Sequence, residues 1–280
     1  MLIQTNKRAQ GARLRFQDME HSAHRQRIER AFTGQADAFE DRARNRVFTS
    51  DASWVFDHLP RAGDELAIDV AAGTGHAARQ LAPSVRAVVA LDATAAMLAR
   101  GREQARREQI LNVVFMQGDA AALPFLDGSF DIAVCRFAAH HFERPEAVVA
   151  ELARCTRTGG HVALVDLIAA DDAGLAAQQN RLERLRDESH ARMLARGELV
   201  ELLGAAGLQP VDVSTRALRR PLEPWLDQAA TGDDAAAEIR RTLRSELAGG
   251  EPTGFAPTEI DGRLMFTQTF AACISRLTDS

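Results

Sequence analysis

The order of apolar and polar positions divides the chain into stretches of different period. Over residues 24–47, Ile28, Phe32, Ala36 and Phe39 recur at spacings of three or four, which is one apolar stripe of a helix. A second short helix is predicted after Ser50, ending near Pro60. The period then changes. Residues 66–68 read as a strand, Gly73 and Gly75 as a tight turn, residues 77–81 as a helix and 87–91 as another apolar strand, which is βαβ alternation. It continues through a helix opened by Thr94, strands at 113–115 and 130–137, a helix from Pro145 to Cys155, a Gly159-Gly160 turn and a strand at 161–165. These strands are continuous apolar runs, as expected of parallel strands covered on both faces. The predicted class is α/β, with a doubly wound, Rossmann-like sheet.

After Asp166 the alternation is interrupted twice. A polar helical stretch over 175–196 precedes a helix at 199–206, a stop at Gly207 and a strand near 211–213. A second interruption, 219–260, holds two predicted helices separated by Thr231-Gly232-Asp233-Asp234, and an apolar strand over 264–274 closes the chain. The expected organisation is a mobile tail (1–21), N-terminal helices (22–60), and one domain (61–280) carrying helical insertions at 171–198 and 219–260.

Composition narrows the chemistry. The 280 residues are 46% hydrophobic and 26% charged, enough for one sizeable core and too ordinary for a disordered or fibrous chain. Tyrosine is absent and Lys7 is the only lysine, a bias that fits a GC-rich bacterial genome. A phosphate-cradling loop needs Gly-Lys-Ser/Thr and a pyridoxal enzyme needs a buried lysine, so both classes are set aside. Any general base must be His, Asp, Glu or Cys. Cys135, Cys155 and Cys273 are too scattered for a disulfide framework or a paired zinc site, and a cytoplasmic location is expected. A net charge of -5 without a basic stripe speaks against nucleic acid, and no apolar run is long enough to insert in a membrane.

The strongest local signal is Asp69-Val70-Ala71-Ala72-Gly73-Thr74-Gly75 directly after the first strand. Glycines there let the backbone approach a ligand, and the next helix offers free N–H groups. Read as Gly73-x-Gly75-x-x-Ala78 with Asp92 after the second strand, it also passes the loose fingerprint of a nicotinamide-dinucleotide oxidoreductase. Asp69 argues against that reading: a carboxylate at the strand tip repels a pyrophosphate but suits an ammonium or sulfonium.

In these residues the chain resembles the class I methyltransferases that use S-adenosyl-L-methionine (SAM), in the small-molecule branch with a type-11 domain, over roughly residues 67–166. Ala71 stands where the family's glycine loop has its first glycine. Leu91-Asp92-Ala93-Thr94 with Met97, Gly118-Asp119-Ala120 with Leu123-Pro124-Phe125, the segment from Phe130 through His140-His141-Phe142, and Thr158-Gly159-Gly160 follow in the family's order. The resemblance implies a seven-stranded sheet with an antiparallel last strand. It implies that Asp69 and the backbone of Ala71, Gly73 and Gly75 hold the methionine end of SAM. Asp92 would accept from the ribose hydroxyls, with Ala93 and Met97 beside it, Asp119 and Ala120 would meet the adenine, and Phe137 would close the site. Each aspartate has an ordinary alternative role, capping a loop or helix.

His140 and His141 lie where the fourth strand ends, the edge on which open α/β sheets bind ligands, so either imidazole is a candidate base. Shaping the pocket is the competing role. His190, with Asp187 and Arg192 in the first insertion, is a candidate for handling a polar acceptor; a solvated helix face is the ordinary explanation. Phe39, Phe142, Trp54 and Trp225 are candidate walls, though such aromatics often only pack against the core. Related enzymes place a tyrosine over the donor from the N-terminal helix, and Phe39 stands there, able to pack but not to donate a hydrogen bond. No His or Cys near the histidine pair completes a metal set.

The expected activity is therefore methyl transfer from SAM, releasing S-adenosyl-L-homocysteine, to the O, N or C of a small molecule in secondary metabolism, by a monomer or homodimer. Ubiquinone and menaquinone C-methyltransferases share the alanine of the glycine loop but usually carry Arg-Asn after strand four, where this chain has His140-His141. That quinone activity, the dinucleotide oxidoreductase, and a SAM-binding protein without catalysis stand as alternatives.

Overall fold

A computed structural model describes residues 23, 24, 26–35, 40 and 53–278. The expected tail 1–21, Ala36 and Phe39 lie outside the described residues. Residues 26–35 are helical (α1), followed after the gap by the short α2 (Ser53–Phe56). The alternation then runs β1 (Leu66–Val70), α3 (His76–Leu81), β2 (Ala87–Asp92), α4 (Ala95–Arg107), β3 (Val113–Gln117), β4 (Phe130–Arg136), α5 (Pro145–Cys155) and β5 (Thr156–Ala169). Pro145 opens α5, where a missing N–H costs nothing, and Glu146 and Arg154 suit its two dipole ends.

The sheet order is β3-β2-β1-β4-β5-β9-β7, with β9 (Arg263–Leu277) antiparallel to both β5 and β7 (Leu208–Pro221). Two short strands lie off this path: β6 (Leu194–Ala195) pairs with β5, and β8 (Thr258–Ile260) with β9. The antiparallel closing strand agrees with expectation. Among the described residues the count is nine because the insertions add β6 and β8, and β7 is far longer than the expected 211–213 because it pairs with β9 along nearly its whole length.

Successive residues of one strand face opposite layers. Ile68 and Val70 join one core with Cys135, Leu164 and the α5 residues Val149 and Leu152, while Ala67 joins the other with Val88, Val134 and the α3 residues Ala78 and Leu81. Burial on both faces explains why the strands are uniformly apolar in sequence. A third core lies outside the sheet layers. Leu182 of α6 (Ala173–Arg186), Leu222, Trp225 and Leu226 of α8 (Leu222–Gln228), Ile239 and Leu243 of α9 (Asp233–Leu247), and Phe255 and Phe266 pack together. The two insertions thus form one body. Trp225 belongs to this core at 1% exposure, with Phe266 at 4.6 Å between ring centroids, and lines neither of the two hollows described below. Trp54 likewise packs against the α3 side of the sheet.

The first insertion departs from expectation: α6 ends at Arg186 instead of running to 196. The chain then turns, Asn180 Oδ1 accepts from Met193 N–H at 2.7 Å, and the next helix, α7 (Arg196–Ala205), starts afresh. These tertiary bonds outweigh local helix propensity.

One glycine has a reversed mutational sign. Gly101 sits inside α4, where alanine ordinarily gains about 1 kcal/mol. A Cβ there would stand 2.5 Å from both the Thr74 carbonyl oxygen and the Phe115 ring. Gly101→Ala is therefore expected to cost about 1–3 kcal/mol through overpacking. Urea unfolding checks it; a stabilised variant would refute the close approach of α4 to the glycine loop.

Candidate functional site

Parallel strands end together, and here the ends of β1, β2 and β3 each deliver an aspartate. Asp69, Asp92 and Asp119 all line a cavity of about 570 Å³ at the carboxyl edge of the sheet. Ala71, Gly73, Ala93, Met97, Ala120 and Phe137, the other residues expected around a donor, line it as well. Gly75 does not. Its φ is +74° and a Cβ would sit 2.7 Å from the Phe115 ring, so it serves the turn and the packing of α3.

Two non-glycine residues on the wall adopt the left-handed backbone, Ala71 at φ 55° and Phe137 at φ 57°. This conformation costs about 1–2 kcal/mol for an L-residue and tends to be retained where a site needs it. At Phe137 it lets the N–H reach the Val165 carbonyl at 2.7 Å while the ring packs against Phe270, 5.4 Å between centroids.

Asp92 both caps and faces the cavity: its Oδ2 accepts from Gly73 N–H at 2.8 Å and its Oδ1 from Thr94 N–H at 2.7 Å. Burial raises its pKa against these donors. Asp119 Oδ1 accepts from Ala121 N–H at 3.0 Å, closing its loop. Asp69 is 2% exposed and accepts from Ala78 N–H at 2.9 Å. Burial pushes it up to about 7, with Arg136 and the Ala78 N–H opposing and Asp92 reinforcing. Arg136, at the end of β4, lines the same cavity; burial lowers it to about 10 while Asp69 holds it up. Sequence reasoning missed Arg136, although a lone cation ending an otherwise apolar strand was a readable signal.

The adjacent histidines have separate fates. His140 is buried off the cavity, where its Nδ1 meets Asp166 Oδ1 at 2.6 Å and its backbone N–H donates to Asp166 Oδ2 at 2.8 Å. Burial works to lower its pKa, but Asp166, Glu183 and Asp187 outweigh it and hold the imidazole above its ordinary value. His141 lines the cavity. Burial and the charge of His140, 4.1 Å away between centroids, bring it down to about 4. Its Nδ1 lies 3.0 Å from the Ser189 carbonyl oxygen, and Phe32 of α1 stands edge-on at 5.1 Å.

The remaining candidates separate further. His190 is 4% exposed, its Nε2 is bonded to Asn180 Oδ1 at 3.0 Å, and burial with the neighbouring His140 drives its pKa far down. It lines a second hollow of about 780 Å³ with Arg192, whose guanidinium donates to Glu198 at 2.8 Å. Neither lines the aspartate cavity. Asp187 lies behind His141, accepting from the N–H of Ser189 at 2.9 Å. Phe142, with His24 and Glu143, lines both hollows and connects them. Of the three histidines expected to act, only His141 reaches the cavity.

Comparison with known proteins agrees with this geometry. A methyltransferase domain family matches residues 68–164. The uncharacterized methyltransferase YcgJ of Bacillus subtilis (strain 168) is 37% identical over 172 residues, 61% of this chain and 68% of that protein. The crystal structure of YcgJ superposes with a TM-score of 0.74 at 28% identity, covering 81% of this chain and 98% of that one. The ubiquinone/menaquinone biosynthesis C-methyltransferase UbiE of Dinoroseobacter shibae is 38% identical over 120 residues, 41% of this chain and 47% of that protein. These matches lend the dinucleotide oxidoreductase no support. With the glycine loop, the strand-end aspartates and the antiparallel closing strand in place, the chain belongs to the methyltransferase family that its motif order resembles, the class I SAM-dependent methyltransferases.

Proposed function

We propose that the 570 Å³ cavity binds SAM and that the protein transfers its methyl group to a small-molecule acceptor entering beside Phe142 and His141. The observation that carries this reading is the row of three aspartates on three successive strand ends. Asp69 meets the methionine ammonium, Asp92 accepts from the ribose hydroxyls, and Asp119 accepts from the adenine amine, with Ala120 N–H on the ring. The volume lies within the ordinary range for small-molecule sites. Arg136 suits the methionine carboxylate, so that the paired charges of the amino-acid end meet paired opposite charges. Ala71 and Gly73 supply close backbone, and Met97, Ala93 and Phe137 the apolar wall. Bound SAM supplies an electrophilic methyl group; the protein aligns the acceptor at about 3–3.5 Å and excludes water.

In this reading residues 61–280 form the catalytic domain, α1 walls the donor cavity through Ile28 and Phe32, and the first insertion walls the adjoining hollow. A cytoplasmic enzyme of secondary metabolism fits better than quinone synthesis, because His140-His141 replaces the usual Arg-Asn pair and the UbiE match spans less than half of either protein.

Calorimetry tests the reading. SAM and S-adenosylhomocysteine are expected to bind at micromolar concentration, and folded protein that binds neither would overturn it. The pH profile supplies a sharper check. Asp69 titrates at about 7, and a cationic ammonium favours its ionised form. Affinity is therefore highest above pH 7 and falls as pH drops through it, on the order of tenfold between pH 7.5 and 5.5. A flat profile would remove Asp69 from the ammonium.

A further inference from the structure

We propose that Asp187 and Ser189 form a relay that fixes the tautomer of His141, leaving its Nε2 lone pair as the acceptor for a substrate hydroxyl, and that the methyl acceptor is a small molecule bearing that hydroxyl.

The proton count settles the tautomer. Ser189 Oγ lies 2.5 Å from Asp187 Oδ1, and Asp187 already accepts from Ser189 N–H at 2.9 Å. A carboxylate only accepts, so the hydroxyl proton of Ser189 is committed to Asp187. The Oγ is then an acceptor toward His141 Nδ1, 3.1 Å away, and the Ser189 carbonyl oxygen, 3.0 Å from the same nitrogen, is an acceptor as well. Two acceptors on Nδ1 require the proton there. Nε2 is left unprotonated, and among the described residues no hydrogen bond occupies it. Ser189 is fully buried and Asp187 is 9% exposed, so water competes little for these bonds.

The surroundings make the lone pair usable. Asp166 raises His140, while burial and the neighbouring His140 bring His141 down to about 4, so His141 is the neutral imidazole at physiological pH. Two like groups with opposite shifts divide the roles between them. Phe32, Ile28 and Phe142 supply apolar wall on the same cavity. His24, Glu29, Glu143 and Arg144 line it too, so a hydroxyl donating to Nε2 is one polar point of an acceptor that also meets apolar wall. In the transfer the hydroxyl oxygen gains the methyl carbon, and the carbon–sulfur bond breaks with its electron pair staying on sulfur. The hydroxyl proton passes to Nε2 and then to solvent. The Asp187–Ser189 pair supports the transient imidazolium from the Nδ1 side. Asp187 and Ser189 are positioning residues; His141 touches the acceptor.

This inference rests on the SAM reading for its chemistry but not for its tautomer, and the test separates the two. Protein with ¹⁵N-labelled histidine is examined by long-range ¹H–¹⁵N correlation at pH 7.5, alone and with S-adenosylhomocysteine, and then with phenol or anisole as hydroxyl and ether probes. The expected His141 pattern is a protonated Nδ1 and a bare Nε2, with phenol shifting the Nε2 resonance and anisole leaving it in place. Asp187→Ala removes that acceptor, so the Ser189 hydroxyl is freed to donate toward Nδ1, and the variant is expected to introduce a measurable Nε2–H population. A wild-type His141 protonated on Nε2 overturns the relay whether or not the homocysteine ligand binds. A bare Nε2 that responds equally to phenol and anisole overturns the hydroxyl assignment. Failure of S-adenosylhomocysteine to bind overturns the donor reading instead, and the ligand-free spectrum still decides the relay.

Discussion

Asp92→Ala is expected to weaken S-adenosylhomocysteine binding by on the order of 100-fold or more. Two hydrogen bonds from ribose hydroxyls to a carboxylate are worth about 1.5–3 kcal/mol each, and both vanish together. The variant also releases the Gly73 and Thr94 N–H groups, which the carboxylate now holds at 2.8 and 2.7 Å, so the glycine loop loses its brace. A ligand comparison isolates the ribose contribution. 5′-Methylthioadenosine keeps the ribose and lacks the amino-acid end, so Asp92→Ala should weaken it through the ribose alone, and S-adenosylhomocysteine by at least the same factor because the loop that meets its amino-acid end is loosened too. Arg136→Ala, by contrast, should weaken only the homocysteine compound. A loss confined to one ligand in the Asp92 variant would move that residue off the ribose.

The second large effect belongs to a residue that touches no ligand. Asp166 is wholly buried and accepts the His140 ring N–H, the His140 backbone N–H and the Leu167 N–H. Replacing it by asparagine leaves the imidazolium without its counter-charge and turns an amide donor toward a donor. Breaking a buried pair this way costs about 3–5 kcal/mol. In a chain of this size that lowers Tm by roughly 10 °C. The pH dependence has a definite sign. His140 is raised in the folded protein, so its pairing stabilises fully below its unfolded pKa and fades as pH rises through the folded one. Without Asp166, burial dominates and the sign inverts. The deficit of Asp166→Asn should therefore be larger at pH 6 than at pH 9, as thermal unfolding at the two pH values would register. A deficit independent of pH would mean that His140 is neutral in the native protein.

The parallel half of the fold was legible because burial on both faces leaves apolar runs that only short strands accommodate, and because Pro145 and Gly207 mark helix ends chemically. The insertions were harder. The stretch after Arg186 is polar and locally neutral between helix and turn; what stops α6 there is Asn180 taking Met193 N–H and Asp187 taking Ser189 N–H, partners that no local pattern announces. The aspartates that line the cavity were readable because each ends or follows a strand at the expected place in the order. His140 and His141 were not separable: they are neighbours of one type, and only Asp166 on one side and Ser189 on the other divide their work. Ser189 itself carries no signature in sequence, since its role lies in where its single proton goes.

The peptide between the two halves of the site sets a condition for exchanging parts among relatives. The His140 carbonyl takes the N–H groups of both Ala191 and Arg192, at 2.9 and 3.0 Å, and the His141 carbonyl takes the His24 ring at 2.7 Å. Two successive carbonyls thus stitch the first insertion and the N-terminal helix to the end of β4. A chimera that imports another protein's insertion to change the acceptor must bring two N–H donors to the same point. One that does not strands a buried carbonyl, at about 1–3 kcal/mol, beside the histidine it was meant to retarget. Transplantable units in this protein therefore end at residue 192 or beyond, not at the last residue of the visible helix.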